Sequence, residues 1–217
     1  MIELQASYIY LAMIWIASYL IGSVPTAVLA GKWLRGIDIR QHGSGNAGAT
    51  NAMRVLGPKI GFGVLIIDSL KGIGAVSLAF LVKDAFQDLN AFVIFQLLLG
   101  AAAIVGHVFP VFASFKGGKG VATLVGIIII MLPEVFLICL GIFLLVFLTS
   151  KYVSLASITA GISLPVIAFL MYDNILLPKL IFTIAVALFV PITHKNNIKR
   201  LLRGEENRIN FKKNMYS

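Results

Sequence analysis

The sequence predicts an all-α polytopic membrane protein with seven transmembrane helices, two of them short. Hydrophobic residues make up 59% of the 217 residues and charged residues 12%, which is about half the charged fraction of a typical soluble domain. The apolar residues form runs, and a run of about 20 crosses about 30 Å of hydrocarbon as a helix. We therefore expect one integral membrane domain over 1–217, with a basic tail from about residue 195.

The apolar segments define the expected helices in chain order, at roughly 8–31, 60–82, 91–113, 120–132, 134–149, 153–172 and 175–193. The fourth and fifth are short because Pro133 and Glu134 divide one long run. Counted as one helix, this run gives six crossings; counted as two, it gives seven. The single cysteine, Cys139, lies in the fifth segment, so no intrachain disulfide is expected. No basic residue precedes the first segment, which argues against a cleaved signal peptide.

The basic residues favour the seven-crossing arrangement. It places 15 Lys and Arg residues on one side and two on the other, with Lys71 inside a helix, whereas six crossings give eight and nine. The positive-inside rule then puts the N-terminus outside and the C-terminus in the cytoplasm. The loops at 32–59 and 114–119 and the tail all face the cytoplasm in this topology.

The stretch 107–123 carries the first chemical motif. It contains two lysines and three glycines between apolar segments: Lys116, Gly117, Gly118, Lys119 and Gly120. Glycines allow backbone N–H groups to converge on an anion, and the lysines add positive charge. We predict a phosphate site. A Walker A motif is excluded because a glycine, rather than Ser or Thr, follows the second lysine.

The stretch 43–51 is a second polar loop, with Arg40 before it and Arg54 after it. It contains G-x-G-x-x-G, but no strand precedes it, so a dinucleotide-binding fold is excluded. Its hydroxyl and amide groups can hydrogen-bond phosphate oxygens, while its glycines permit close approach. The candidate ligands are Ser44, Asn46, Gly48, Thr50 and Asn51. The alternative is a flexible surface turn.

Two candidates lie deeper in the apolar segments. Asp68 and Lys71 are three residues apart on one helix face, and ionisable groups at this depth are costly, so we expect them to pair. A functional pair and a structural ion pair both stay open. His107, near the cytoplasmic end of the third segment, is either an interhelical hydrogen-bonding residue or a site residue.

The last candidates lie near the C-terminus. Ser154 and Ser157 begin a helix one turn apart, where hydroxyls cap the helix or contact a ligand. His194 ends the last apolar segment and opens a basic stretch that includes Asn197. No set of His, Cys, Asp and Glu has metal-ligand spacing, so neither a metal nor another cofactor is expected. A nucleic-acid partner is not expected either.

These motifs resemble the bacterial PlsY family of membrane acyltransferases. The resemblance runs from about Gly22 to Glu205 and rests on residues 44–51, 68–72, 107–123, 152–157 and 194–201, of which the first and third stretches are highly specific. It implies transfer of a fatty acyl group from acyl phosphate to the 1-hydroxyl of glycerol 3-phosphate, which gives lysophosphatidic acid for phospholipid synthesis. It also implies a site at the cytoplasmic face of the bacterial inner membrane. Lys151 stands where the family often has arginine.

The resemblance guides the assignment of roles. Lys119 and Ser44 are expected to bind one phosphate, while Arg54 and His194 hold the other phosphate or the glycerol hydroxyls; these four are the expected catalytic residues. The expected substrate-binding residues are Asn46, Gly48, Thr50, Asn51, Lys71, His107, Lys116, Gly117, Gly118, Gly120, Ser154, Ser157 and Asn197. Either His194 or the departing phosphate accepts the hydroxyl proton, and we favour the phosphate.

The expected partners are the two substrates, the bilayer and the enzyme that supplies acyl phosphate. The competing function is a membrane transporter of a small phosphorylated anion or lipid precursor, which would use the same basic loops for capture. Transporter sites typically lie near the bilayer midplane between repeats, whereas the polar clusters here gather on one side.

Overall fold

The structure, a computed structural model, describes residues 2–208, with side chains from residue 8 onward. Every regular element among these residues is helical, which confirms the predicted all-α class. The α-helices are α1 (Ile2–Ser23), α2 (Thr26–Arg35), α3 (Ala49–Val55), α4 (Pro58–Ser77), α5 (Leu89–Val108), α6 (Val121–Met131), α7 (Pro133–Ser150), α8 (Val153–Met171), α9 (Leu177–Thr193) and α10 (Lys195–Leu202). Short 3₁₀ helices cover Ile39–Gln41, Leu78–Ala85 and Val111–Ala113. Of the predicted tail, residues 209–217 lie outside the described residues.

The helices are those of a multi-pass membrane protein. Within the described part of the chain, five helical segments are long and apolar enough to cross a bilayer: Tyr8–Arg35, Pro58–Ala85, Leu89–Ala113, Pro133–Ser150 and Val153–Met171. Helices α9 and α10 form a pair bent by 60°, which counts as a sixth if it is one broken span. Helix α6 is apolar but short. All seven predicted segments are therefore helical, while the number of crossings and the orientation stay predictions.

The chain forms two compact units, Met1–Ile130 and Met131–Ser217, and the expectation of one domain stays a prediction. In the N-terminal unit, α1 packs against α4 and α5, and α4 also contacts α2, α3 and α5. Helix α6 lies very close to α4: a Cβ added to Gly72 would be 2.0 Å from the Thr123 carbonyl oxygen, and one added to Gly126 would be 1.9 Å from that of Ser69. Small residues allow such backbone approach between membrane helices.

In the C-terminal unit, α8 packs between α7 and α9, and α10 contacts both α8 and α9. Helix α7 begins at Pro133, directly after Leu132, so the break expected from Pro133 and Glu134 is confirmed. Polar groups near this break form hydrogen bonds within the unit. The Lys179 ammonium donates to the carbonyl oxygen of Met131 over 2.8 Å, and the Tyr172 hydroxyl donates to the Glu134 carboxylate.

Candidate functional site

The loop at 43–51 is organised by a buried asparagine. The Asn51 side chain is 1% exposed. Its Oδ1 accepts the backbone N–H of Ser44 at 2.8 Å, and its Nδ2 donates to the carbonyl oxygens of Ile39 (3.1 Å) and His42 (3.0 Å). Gly43 adopts φ +60° and leaves no room for a Cβ, which would lie 2.4 Å from Asn51 Oδ1. Since these bonds use both amide hydrogens, Asn51 shapes the loop, and its role as a substrate ligand stays a prediction.

The other loop residues surround this scaffold. Ser44 is exposed, with its backbone held by Asn51. A Cβ at Gly48 would lie 2.8 Å from Asn46 Oδ1, so the Asn46 amide lies over the glycine. Thr50 lies in the first turn of α3, and Arg54 lies half-buried in its last turn. The loop is thus a built structure that carries a hydroxyl, an amide and a guanidinium.

The glycine-rich loop at 116–120 folds back on the end of α5. The N–H groups of Gly117 and Gly118 donate to the carbonyl oxygens of Val108 and His107, both at 3.1 Å. A Cβ at Gly117 would lie 2.0 Å from the His107 carbonyl oxygen. This differs from the expectation that these N–H groups converge on an anion. The last carbonyl groups of a helix lack helical partners, and here the glycines satisfy them.

The donors next to this loop belong to α6. Helix α6 begins at Val121, directly after the half-buried Lys119 and after Gly120, which has φ +77°. The first N–H groups of an α-helix have no partner within the helix, and with the helix dipole they favour a bound anion. Lys116 is exposed at the other end of the loop. The groups that suit the predicted phosphate site are therefore Lys119 and the start of α6, and the site itself stays a prediction.

The two polar loops lie side by side in the N-terminal unit. The Arg40 guanidinium donates from Nη1 to the carbonyl oxygen of Ala113 at 2.9 Å, and its Nη2 is paired with Asp38 at 2.7 Å. The hydrogen bond from Arg40 lowers the pKa of the Asp38 carboxyl to about 2. A Cβ at Gly118 would lie 3.2 Å from the Ala47 carbonyl oxygen. From the sequence, Arg40 was only a charge that flanks the loop at 43–51, although the spacing Asp38-x-Arg40 was a visible signal of a local pair.

A buried polar cluster lies beneath these loops. Lys71 Nζ is 2.6 Å from Asp68 Oδ1 and also donates to the Val24 carbonyl oxygen at the break between α1 and α2. The predicted Asp68–Lys71 pairing is confirmed. His107 Nδ1 lies 3.8 Å from Asp68 Oδ1, and a Cβ at Gly118 would lie 2.3 Å from His107 Nε2. The pair thus closes a helix break, and His107 supports the glycine loop; substrate contact by Lys71 or His107 stays a prediction.

In the C-terminal unit, one carboxylate gathers three donors. Glu206 Oε1 accepts the hydroxyl of Ser154 at 2.9 Å and the amide of Asn197 at 2.6 Å, and Oε2 accepts Arg200 Nε at 2.7 Å. Burial raises the pKa of the Glu206 carboxyl, but the bonds from Asn197, Arg200 and Ser154 outweigh it and leave the pKa below its usual value. Of the two roles left open for Ser154, capping does not occur, because the N-cap of α8 is Tyr152 and no side chain caps it. Sequence reasoning missed Glu206, which lies at the edge of the recognised stretch.

His194 joins α9 to α10 and is buried. Its Nδ1 lies 2.8 Å from the Val190 carbonyl oxygen. A carbonyl oxygen only accepts, so Nδ1 carries the hydrogen and Nε2 is the acceptor of the neutral ring. Ser157 is half-buried, and its hydroxyl forms no hydrogen bond with another described residue. This unit therefore supplies hydrogen-bonding groups that suit hydroxyl groups of a substrate.

Within residues 2–208, no three His, Cys, Asp or Glu side chains group closely enough to hold a metal ion. The candidate residues in each of the two units are mainly cations, hydroxyls and amides. Such groups bind phosphate oxygens and stabilise negative charge that develops during a reaction.

Comparison with known proteins points in the same direction. The sequence matches the family described as Glycerol-3-phosphate acyltransferase over residues 12–204. Two relatives of that name are the proteins of Chlorobium phaeobacteroides strain DSM 266 and Chlorobaculum tepidum. The first is 47% identical over 89% of this chain and 94% of its own length, and the second is 46% identical over 93% and 97%.

The fold matches two crystal structures of PlsY (YgiH), described as an integral membrane glycerol 3-phosphate acyltransferase. The glycerol 3-phosphate form superposes with a TM-score of 0.82 and the lysophosphatidic acid form with 0.78. Both are 36% identical to this chain, and both matches cover 96% of it and all of the solved chain.

Proposed function

We propose that this chain, which belongs to the glycerol-3-phosphate acyltransferase family, transfers a fatty acyl group to the 1-hydroxyl of glycerol 3-phosphate and forms lysophosphatidic acid. The observation that carries the proposal is the pairing of the two polar loops, with Lys119 at the start of α6 and Ser44 on the neighbouring loop. The relatives named glycerol-3-phosphate acyltransferase, and the PlsY structures in glycerol 3-phosphate and lysophosphatidic acid forms, support it.

The proposed donor is acyl phosphate. An acyl phosphate is a mixed anhydride with a good leaving group, so the protein needs no nucleophile of its own. It must position two phosphates and stabilise the charge on the departing one. The glycerol hydroxyl oxygen bonds to the acyl carbonyl carbon, the bond from that carbon to the phosphate oxygen breaks, and inorganic phosphate leaves. Lysine, arginine and helix N–H groups meet these demands.

The proposed roles follow the chemistry of each cluster. Lys119 and Ser44 bind one phosphate, and Arg54 binds the other or a glycerol hydroxyl. His194 and Asn197 orient glycerol 3-phosphate. Secondary contacts are proposed for Asn46, Gly48, Thr50, Asn51, Lys71, His107, Lys116, Gly117, Gly118, Gly120, Ser154 and Ser157.

The proposed proton acceptor is the departing phosphate. It lies next to the attacking hydroxyl and gains basicity as the carbon–oxygen bond breaks, so no protein base is required. With Nδ1 donating to Val190, Nε2 of a neutral His194 ring is an acceptor, the role that a hydrogen bond from a glycerol hydroxyl requires. A general base in a protein typically raises the reaction rate by about 10²–10⁴-fold. A substitution that removes the titratable group of His194 therefore distinguishes a histidine base from a phosphate base.

The proposed topology has seven crossings, with the N-terminus outside and the C-terminus in the cytoplasm of a bacterial inner membrane. The distribution of basic residues supports it, and the close packing of α6 against α4 offers a way to bury a short helix. In a Cys139→Ala background, cysteines at Lys59 and Lys83 should react from opposite sides with a membrane-impermeant maleimide. Reaction of both from one side would contradict the topology. The cytoplasmic face is also where an enzyme that supplies acyl phosphate would act.

The reaction is tested with purified protein in lipid, by measuring phosphate release and lysophosphatidic acid formation from acyl phosphate and glycerol 3-phosphate. Acyl-CoA and acyl-carrier protein serve as alternative donors. We expect turnover with acyl phosphate alone. Turnover only with a thioester would overturn the donor. Substrate flux into sealed vesicles without turnover would favour a transporter instead.

The phosphate role of Lys119 is tested by Lys119→Ala. Loss of a preorganised electrostatic contact should cost about 2–4 kcal/mol of transition-state stabilisation, about 30- to 1,000-fold in kcat/KM. Lys59→Ala is the control, since Lys59 is an exposed cation in the same unit and should leave kcat/KM unchanged. Wild-type rates in Lys119→Ala would remove this residue from the site.

A further inference from the structure

Helix α10 presents a basic face that the proposed chemistry does not use. The residues at 195, 199, 202 and 203 fall on one side of a helix with 3.6 residues per turn. They are Lys195, Lys199, Leu202 and Arg203, the last of which directly follows α10. All four are exposed, and Leu202 is 84% exposed. We call these four residues the α10 basic face. Leu202 is the large apolar side chain of this face, and the other three residues are cations.

The opposite side of α10 is fixed inside the C-terminal unit. Asn197 is buried and bonded to Glu206. Arg200 is turned to the same carboxylate, with 2.7 Å between Arg200 Nε and Glu206 Oε2. Arg200 is therefore neutralised by Glu206 of the same chain, and these bonds fix the rotation of α10 about its own axis. This orientation leaves the α10 basic face pointing outward.

Among the described residues, no carboxylate side chain pairs with the α10 basic face. Lys195, Lys199 and Arg203 form no ion pair with any residue in the part of the chain that the structure describes. The sequence at 209–217 contains no Asp or Glu and adds two more lysines. The exposed Glu205 is the one acidic residue close in sequence whose side chain is not buried. The face keeps a net positive charge and needs an anionic counterpart from outside the chain.

The bend between α9 and α10 would bring α10 close to a membrane surface. Helix α9 is apolar, and the chain bends by 60° where α10 begins. If α9 runs along the bilayer normal, this bend brings α10 to within about 30° of the membrane plane. The cations are too costly to lie in the hydrocarbon. A short basic helix with one large apolar side chain matches the pattern of helices that lie at the level of the headgroups.

We propose that the α10 basic face binds the headgroups of anionic phospholipids, with Leu202 entering the boundary between headgroups and acyl chains. Each Lys or Arg near an anionic bilayer surface contributes about 1 kcal/mol, which is about fivefold in a binding constant. The bilayer is adjacent to a multi-pass membrane protein in every state, and its headgroup boundary accommodates both the cations and the leucine. Because α10 also carries Asn197 and follows His194, headgroup binding would steady the part of the unit proposed to orient glycerol 3-phosphate.

The test uses one fluorescent label on the proposed contact. Cys139 is the only cysteine, so Leu202→Cys in a Cys139→Ala background carries a single environment-sensitive fluorophore. The full-length protein is placed in nanodiscs of phosphatidylcholine alone or of an equimolar mixture with phosphatidylglycerol. We expect a blue shift and protection from quenching by the neutral quencher acrylamide in the anionic discs, both reversed by high salt because the contact is exposed to solvent ions.

Two matched triple variants test whether the cations of the α10 basic face cause the response to anionic lipid. Lys195→Gln, Lys199→Gln and Arg203→Gln together should abolish the difference between the two lipids. In the control variant, Lys32, Arg35 and Lys59 are changed to Gln. This variant loses the same charge elsewhere in the chain and should keep the difference between the two lipids.

Equal protection in both discs, or equal loss in both triple variants, would overturn the proposal. A label that responds to soluble polyglutamate but not to anionic discs would assign the face to an acidic polypeptide instead and would also overturn it. The fluorescence is read without substrate, so it is independent of the outcome of the acyl-transfer assay.

Discussion

Replacing Glu206 by glutamine tests the organisation of the C-terminal unit most directly. The side chain is buried, and its two oxygens accept three donors, from Ser154, Asn197 and Arg200. Glutamine has nearly the same shape, so the change removes charge and one acceptor without opening a cavity. The new amide nitrogen must face a group that is itself a donor. At least one of the three donors therefore loses its partner.

The cost can be worked from these contacts. A hydrogen bond to a charged group is worth about 1.5–3 kcal/mol, and a buried donor left without a partner costs about 1–3 kcal/mol. Arg200 is about one-third exposed, so its share is reduced by solvent. We expect Glu206→Gln to lower the free energy of unfolding by about 2–4 kcal/mol. For a chain of this size, that corresponds to a fall of about 5–15 °C in Tm.

The assay is the apparent Tm of the purified protein in detergent, with KM for glycerol 3-phosphate measured in parallel. KM should rise, because Asn197 loses its fixed partner. Glu205→Gln is the matched control: it removes the same charge from the neighbouring position, where the side chain is exposed. Equal Tm values for Glu206→Gln and wild type, or an equal loss in the Glu205 control, would refute the reasoning.

The pH dependence of this difference has a definite sign. The pKa of the Glu206 carboxyl is lower in the folded protein than its usual value. Its stabilising contribution is therefore complete above the pKa of an unfolded glutamate, about 4.3, and is lost as the pH falls through the lower folded value. The Tm gap between wild type and Glu206→Gln should be constant from neutral pH to about pH 5 and shrink below about pH 4.

Further predictions test the other clusters. His194→Gln keeps a hydrogen-bonding group that cannot titrate, so we expect retained turnover with a raised KM for glycerol 3-phosphate. A fall of about 10³-fold in kcat would be larger than the loss of one hydrogen bond explains and would identify His194 as the general base. Gly117→Ala forces a Cβ to within 2.0 Å of a backbone oxygen and should cost about 1–3 kcal/mol of stability, measured as Tm, whereas Gly63→Ala meets open space and should be neutral. Asp68→Asn or Lys71→Met alone leaves a buried partner and should cost about 3–5 kcal/mol, while the double variant should cost less than the sum in a thermal double-mutant cycle.

The helices could be predicted because the bilayer imposes simple requirements on the sequence. Long apolar runs must become helices, since backbone groups find no water in hydrocarbon. The break at Pro133 was visible because proline cannot continue a helix. The pairing of Asp68 with Lys71 was visible because two opposite charges on one buried face have no other means of neutralisation. In each case a local pattern was enough.

The site could be predicted less completely because its contacts join distant parts of the chain. Glu206 lies 52 residues from Ser154, and no local pattern links them. Arg40 reaches the Ala113 carbonyl across 73 residues. Composition could suggest that residues 116–120 bind an anion, but not that Gly117 and Gly118 would give their N–H groups to the end of α5. Residue type indicates what a side chain can bind, while the fold decides which partner it meets.

The candidate residues therefore divide into those that also build the site and those whose proposed role is substrate contact alone. Asn51 uses both of its amide hydrogens inside its own loop, Gly117 and Gly118 satisfy the end of α5, and Ser154 is held by Glu206. Ser44 is exposed on a fixed backbone, and Ser157 forms no hydrogen bond within the described part of the chain. Substitutions in the first group should change stability and substrate affinity together. Substitutions in the second should change kinetics at constant Tm, so measuring both for each variant separates the scaffold from the chemistry.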